Sequence, residues 1–387
     1  MRRPRPFRPA IAILAAAGLV GSLSASAGAA DSPSAGNVTG RAEPGVEATC
    51  SLTETGWEAT SRAETGRTEL FEAYGNSGVG WTGGDSTYSV ELDRGRTLWL
   101  FSDTFLGPVD DDLTRPADTP FLNNSFIEQR GDSLRTITGG TADEPESLVP
   151  PDKPDTWNWL GAGMATPRSL DVMFLEFEKF GPGMWDFGWS ANKLVRFDPR
   201  TYAVRDVVPM PSESGVQWAS WIERVGPHTY IYGVDDQGAT KYMHLARVTG
   251  RDLADAWEYW TGDGWSSEET DSAPIMDGVA NEYSVTRFRD GYLLVTQDTH
   301  ELFSSTIAGY VGCSPWGPFT SATTLHDMPE VGGNIITYNA HEHPGQRRGD
   351  RLLITYNVNS LDSDDLYDDV TIYRPRFVEV ELVPAAG

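Results

Sequence analysis

The chain has 387 residues, with 56 Asp and Glu against 30 Lys and Arg, for a formal charge of −26. Such acidity disfavours nucleic acid, which is bound by neutralising phosphates with Lys and Arg, and disfavours an anionic membrane surface; it also keeps an exported protein soluble. A substrate that does not rely on charge fits better.

Residues 1–30 begin with four arginines, continue through an apolar run at 10–23, and end in small residues with Ala-x-Ala cleavage options at Ala27 or Ala29. That is the pattern of a secretory signal peptide, so the mature protein is expected outside the cell with a charge of −30 once those arginines are removed. The apolar run is short for a membrane span. Residues 31–55 form a linker and N-terminal segment, rich in Ser, Gly, Ala and Pro as far as residue 44. Cys50 and Cys313, an even count in an oxidising location, predict one disulfide.

From residue 56 to 387 the chain reads as one aromatic-rich domain with 13 Trp and 14 Tyr. Its strand patterns fall in five clusters: 80–107 with 124–129 and 133–138; 170–177, 193–198 and 202–208; 217–225, 229–234, 242–248 and 257–265; 283–288, 292–297, 307–313 and 319–325; then 335–340, 352–357 and 371–382. Residues 252–259 offer about two helical turns. Clusters of 60–70 residues suit four-stranded sheets, so the fold class is all-β, a five-bladed β-propeller with four-stranded antiparallel blades. A two-sheet sandwich is the competing architecture. Three runs, GRTLWLFSD, DGYLLVTQD and GDRLLITYN, end in a polar group: Asp103, Asp298 and Asn357. A strand buried on both faces is continuously apolar, and its polar end emerges at one face of the molecule.

The stretch 80–107 reads as a hairpin turning at Asp93-Arg94-Gly95, with Gly95 left-handed, Leu92 opposite Arg96 and Asp85 opposite Asp103. Opposed like charges destabilise a sheet. Either the two are exposed aspartates capping turns, or they are a reactive pair of the kind used in glycoside hydrolysis. A propeller face would also gather Asn124, Asp186, Asp235, Glu282, Asp298, Asn339, His341 and Asn357 as candidate substrate-binding groups, with Trp185 as a platform for the apolar face of a sugar. Glu282 is the third candidate for a catalytic carboxylate.

No cofactor or metal is implied. Asn339-Ala340-His341-Glu342-His343 lacks a third ligand at a zinc spacing, and the acidic run 362–369 lacks the Gly and Glu of a calcium loop, so calcium is left as an unargued structural alternative. Nucleotide-loop, dinucleotide and serine-elbow patterns are missing from any fitting context.

The stretches GWTGGDSTYSV, RTLWLFSDTFLG, NNSF, GVDDQGATKYMHLARV, EYWTGDGW, NEYSV, LLVTQDT, GGNIITYNAH and YNVNSLD together resemble a group of secreted bacterial proteins first catalogued as a domain of unknown function. That group is related to five-bladed propeller glycosidases and includes endo-D-arabinanases of glycoside hydrolase family 183. The resemblance covers residues 56–382. It implies a catalytic pair at Asp85 and Asp103, and cleavage of internal α-D-arabinofuranosyl linkages in mycobacterial-type arabinan, as in arabinogalactan or lipoarabinomannan. The partner is then a polysaccharide and the protein a monomer. A glycosidase acting on another furanoside, or a non-catalytic glycan-binding propeller, are the alternatives.

Overall fold

The structure, a computed structural model, describes residues 50–183 and 186–385; the signal peptide, most of the linker and Trp185 lie outside these. Five antiparallel sheets form a five-bladed β-propeller. The five innermost strands are Trp81–Glu91, Thr156–Ala165, Gln217–Val225, Tyr283–Phe288 and Ile335–Glu342. Each pairs with the strand that follows it and starts a four-stranded meander, to which the first and third blades add short extra strands. The second strands are the continuous apolar runs. Leu98, Trp99, Leu100 and Phe101 are fully buried in the first blade, and Leu293, Leu294 and Val295 in the fourth, because neighbouring blades cover both faces of each.

The fifth blade is completed from the far end of the chain. Trp57–Ala63 pairs antiparallel with Pro375–Pro384, from Trp57 opposite Pro384 to Ala63 opposite Val378. This pairing closes the ring and leaves the polar strand WEATSRA as an outer edge, where burial is slight. The Cys50–Cys313 disulfide, with Cα atoms 5.5 Å apart, ties the N-terminal segment to the fourth blade, just past the strand Thr306–Gly312.

Between the closing strand and the first blade runs a helix, Thr65–Asn76, whose first turn is capped by the Glu64 carboxylate accepting from the Arg67 amide at 2.6 Å. Phe71 is its anchor. The ring packs against Trp81, Trp99 and Phe377 with centroids 5.1–5.8 Å apart, geometry that contributes about 0.5–1.5 kcal/mol per pair beyond area burial.

Two local expectations are corrected. Residues 252–259 are not helical: a turn joins the Asp255 amide to the Asp252 carbonyl, and Trp257–Trp260 is a strand whose Trp257 packs on Trp218, so sheet pairing overrides local helical pattern. In the first hairpin the connection 93–95 does set Leu92 against Arg96, through a 2.8 Å bond. The ladder is then interrupted: Tyr88 pairs with Leu100, Ser86 with Phe101 and Gly84 with Thr104. Asp85 and Asp103 fall in the irregular part rather than forming a regular cross-strand pair.

Candidate active site

Asp85 lies near the start of the innermost strand of the first blade and Asp103 near the end of the next, so both sit at one end of the propeller. The bulges re-aim this part of the strand. Ser86 (φ 66°) and Thr87 (φ 62°) take the left-handed backbone region, which costs non-glycine residues on the order of 1–3 kcal/mol each and is found where a site needs it. Gly83 is required for another reason: a Cβ there would come within 2.4 Å of the Tyr373 carbonyl oxygen. The close approach lets the Gly84 amide bond that carbonyl at 2.9 Å and brings the fifth-blade loop carrying Tyr373 onto Asp85.

Both carboxyls are buried, Asp85 at 3% and Asp103 at 0% exposure. Each is held through one oxygen. Asp85 Oδ2 accepts from the hydroxyls of Tyr338 and Tyr373 at 2.8 and 2.7 Å; Asp103 Oδ1 accepts from Asn123 Nδ2 at 2.9 Å and Trp159 Nε1 at 2.7 Å. Asp85 Oδ1 and Asp103 Oδ2 make no hydrogen bond within the protein. Burial pushes Asp85 up to about 6, against the hydrogen bonds from Tyr373 and Tyr338 that favour its charged form. Burial holds the Asp103 carboxyl well above the usual carboxylate range, the Asp85 charge adds to this, and the Asn123 and Trp159 donors oppose it. Carboxyls close enough for one charge to raise the other titrate as a pair.

Glu282 stands immediately before the fourth-blade inner strand and joins the same cluster. Ser86 Oγ donates to its Oε1 at 2.7 Å and also lies 2.8 Å from Ser102 Oγ. Burial holds the Glu282 carboxyl well above the usual range, the Ser86 bond opposes this, and the Asp85 charge reinforces it. His341 Nδ1 is 3.8 Å from Glu282 Oε2. Burial drives the imidazole down to about 3, so this is a contact of two neutral groups rather than an ion pair. The ring stacks on Tyr88 with centroids 4.3 Å apart. Asn357 is part of the wall, donating to Thr87 Oγ1 at 2.9 Å and to the Gly84 carbonyl at 3.3 Å. Asn339, beside Tyr338 and at φ 57°, is buried with its Nδ2 unbonded.

The remaining candidates are placed elsewhere. Asn124 is consumed by backbone: its Nδ2 donates to the carbonyls of Val149 and Asn158, and its Oδ1 accepts from the Val149 amide. It clamps these segments together, and its neighbour Asn123 is the one that meets Asp103. Asp186 caps its own loop through the Gly183 amide at 2.7 Å. Asp298 is bonded to His300, with Nδ1 2.6 Å from Oδ1, in a fourth-blade loop, and Asp235 accepts from Gln237. Among the described residues, no group of three or more His, Cys, Asp or Glu is arranged to hold a metal ion.

The family model described as Domain of unknown function (DUF5005) matches residues 68–382. The chain belongs to the DUF5005 family. It is similar to the Notoamide biosynthesis cluster protein J' of Aspergillus versicolor, at 28% identity over 154 residues, which spans 37% of this chain and 40% of that protein. Among solved structures, a hydrolase candidate from Bacteroides ovatus ATCC 8483 superposes with a TM-score of 0.71 at 19% identity, over 83% of this chain and 90% of that one; the likeness is one of fold. The catalytic domain of the GH62 α-L-arabinofuranosidase of Coprinopsis cinerea aligns over 86% of this chain and 99% of its own, at 10% identity and a TM-score of 0.44.

Proposed function

We propose that this DUF5005 protein is an exported glycoside hydrolase acting with Asp85 and Asp103 as its reactive pair. The observation that carries the reading is the pair itself: two buried carboxyls, each pinned through one oxygen with the other unbonded, with the charge of Asp85 raising Asp103. General acid catalysis near neutral pH needs a carboxyl kept protonated, and its partner must carry charge.

The two environments favour different roles. Two phenol donors favour the charged form of Asp85, and both tyrosines stay protonated because burial and the Asp85 charge raise them well above 10. Asp85 Oδ1 is then the oxygen that attacks the anomeric carbon or takes a proton from water. Asp103, raised by burial and by the Asp85 charge, holds the shared proton and gives it to the leaving oxygen from Oδ2. At 3% and 0% exposure, substrate entry must move aside the groups over the pair; the same exclusion of water keeps the proton in place.

The substrate class is a neutral polysaccharide. A chain this acidic repels uronate and phosphate polymers, and resemblance of the site-bearing stretches to endo-D-arabinanases directs the choice to internal α-D-arabinofuranosyl linkages. The purified protein is expected to release oligosaccharides from mycobacterial-type arabinogalactan, with the product anomer read by NMR. Cleavage of a different furanoside and none of arabinan would move the substrate within the class; binding of arabinan with no product from any furanoside would make the protein a glycan-binding propeller.

A further inference from the structure

The two carboxyls are held from different blades. Asp85 takes both its side-chain donors, Tyr338 and Tyr373, from the fifth blade, while Asp103 takes Asn123 from the first and Trp159 from the second. Tyr338, Tyr373 and Trp159 are 3%, 0% and 1% exposed. Of the four, Asn123 alone reaches the surface.

The Asn123 carboxamide has one end engaged and one end open. Its Nδ2 donates to Asp103 Oδ1 at 2.9 Å. Its Oδ1 has no partner among the described residues and, unlike Asp85 Oδ1 and Asp103 Oδ2, is not sealed from solvent. The backbone that carries it is fixed on both sides: the Asn123 amide donates to Ser147 Oγ at 3.0 Å, and Asn124 is clamped to Val149 and Asn158. An acceptor held in place before a ligand arrives gives up little freedom on binding. A carboxamide oxygen can only accept, so its partner must be a donor, and a sugar hydroxyl is one.

The chemistry says whose hydroxyl it is. A general acid lies against the leaving oxygen, so a group bonded to Asp103 adjoins the leaving sugar, whereas the tyrosines on Asp85 adjoin the sugar whose anomeric carbon is attacked. We propose that Asn123 binds the leaving-group side of the substrate, its Oδ1 accepting from a ring hydroxyl of the leaving sugar while its Nδ2 holds Asp103. Trp159, on the same Asp103 oxygen, packs with Phe177 and Phe187 at centroid distances of 4.4 and 5.8 Å. Phe187 is partly exposed and offers apolar surface to the ring face of that sugar. The inference rests on the glycosidase reading and on Asp103 as its acid.

The test uses arabino-oligosaccharides with the leaving sugar intact, 2-deoxy or 3-deoxy. The wild-type protein should cleave the intact substrate with a kcat/KM about tenfold above that of one deoxy analogue. Asn123→Asp keeps an acceptor and loses the donor to Asp103, so its rate should fall on every substrate while the preference for the hydroxyl stays. Asn123→Ala has no acceptor and should cleave all three within about twofold of one another, as a double-mutant cycle requires once the contact is gone. Melting curves verify that both variants fold. Equal rates on all three substrates in the wild type, or an Asn123→Ala variant that still discriminates, overturns the proposal and leaves the hydrolase reading intact. A wild-type protein that cleaves neither these substrates nor arabinan overturns the hydrolase reading, and this inference falls with it.

Discussion

Asp85→Asn should make the protein more stable at alkaline pH, and the gain should vanish in acid. The folded-state value of Asp85 is raised from 3.8 to about 6 by burial, so the folded protein holds its proton more tightly than the unfolded chain does. Stability contributed by that proton is complete below about pH 3.8 and is lost as pH rises through about 6. The loss is about 3 kcal/mol, at 1.36 kcal/mol per pH unit. Asparagine keeps the shape and an oxygen for the two tyrosine hydroxyls and carries no charge at any pH. At about 1.5 °C per kcal/mol for a domain of this size, the variant should melt roughly 4 °C above wild type at pH 8 and level with it near pH 4. Melting curves of both proteins from pH 4 to pH 8 measure this. A variant that melts below wild type at pH 8, or a difference constant across the range, would refute the claim that the Asp85 charge is held at a cost.

Other perturbations read single contacts. Tyr373→Phe removes one of the two phenol donors to Asp85, so the acid limb of kcat/KM should move up by about one pH unit; an unmoved limb would detach Asp85 from that limb. Trp159→Phe keeps an aromatic ring against Phe177 but deletes the 2.7 Å donor to Asp103, and the basic limb should rise as the proton is held more firmly, with a stability loss of about 1–3 kcal/mol. The Cys50→Ser, Cys313→Ser double variant opens a closure spanning 263 residues and should lose roughly 2–5 kcal/mol in denaturant titration; an unchanged transition would show that the fourth-blade staple bears no load.

The fold was legible where strands are buried on both sides. GRTLWLFSD, DGYLLVTQD and GDRLLITYN are second strands because blade packing demands apolar residues at every position. Thr156–Ala165 escaped notice: its half GAGMA has few β-forming side chains, and Gly161 is needed there because a Cβ would come within 2.2 Å of the Ala219 carbonyl. The edge strand Trp57–Ala63 and helix Thr65–Asn76 are held by tertiary packing on few apolar residues, so periodicity is weak in both. At the site, Asp85 and Asp103 share a hairpin and local register brings them together on paper. Tyr338 and Tyr373 reach Asp85 only because the ring closes, over separations of 253 and 288 residues, a distance local pattern does not span. Trp159 was hidden with its strand. Asn123 and Asn124 were distinguishable only by the point at which the strand Ser125–Arg130 begins.

The most direct test of the paired-carboxyl account is the hydrolysis rate of Asp85→Asn and Asp103→Asn against wild type on mycobacterial-type arabinogalactan, with folding verified by melting. Loss of the nucleophile or base, or of the acid, should lower kcat at least about 10²–10⁴-fold in each variant, without matching loss in arabinan binding. Wild-type rates in either variant would contradict the account.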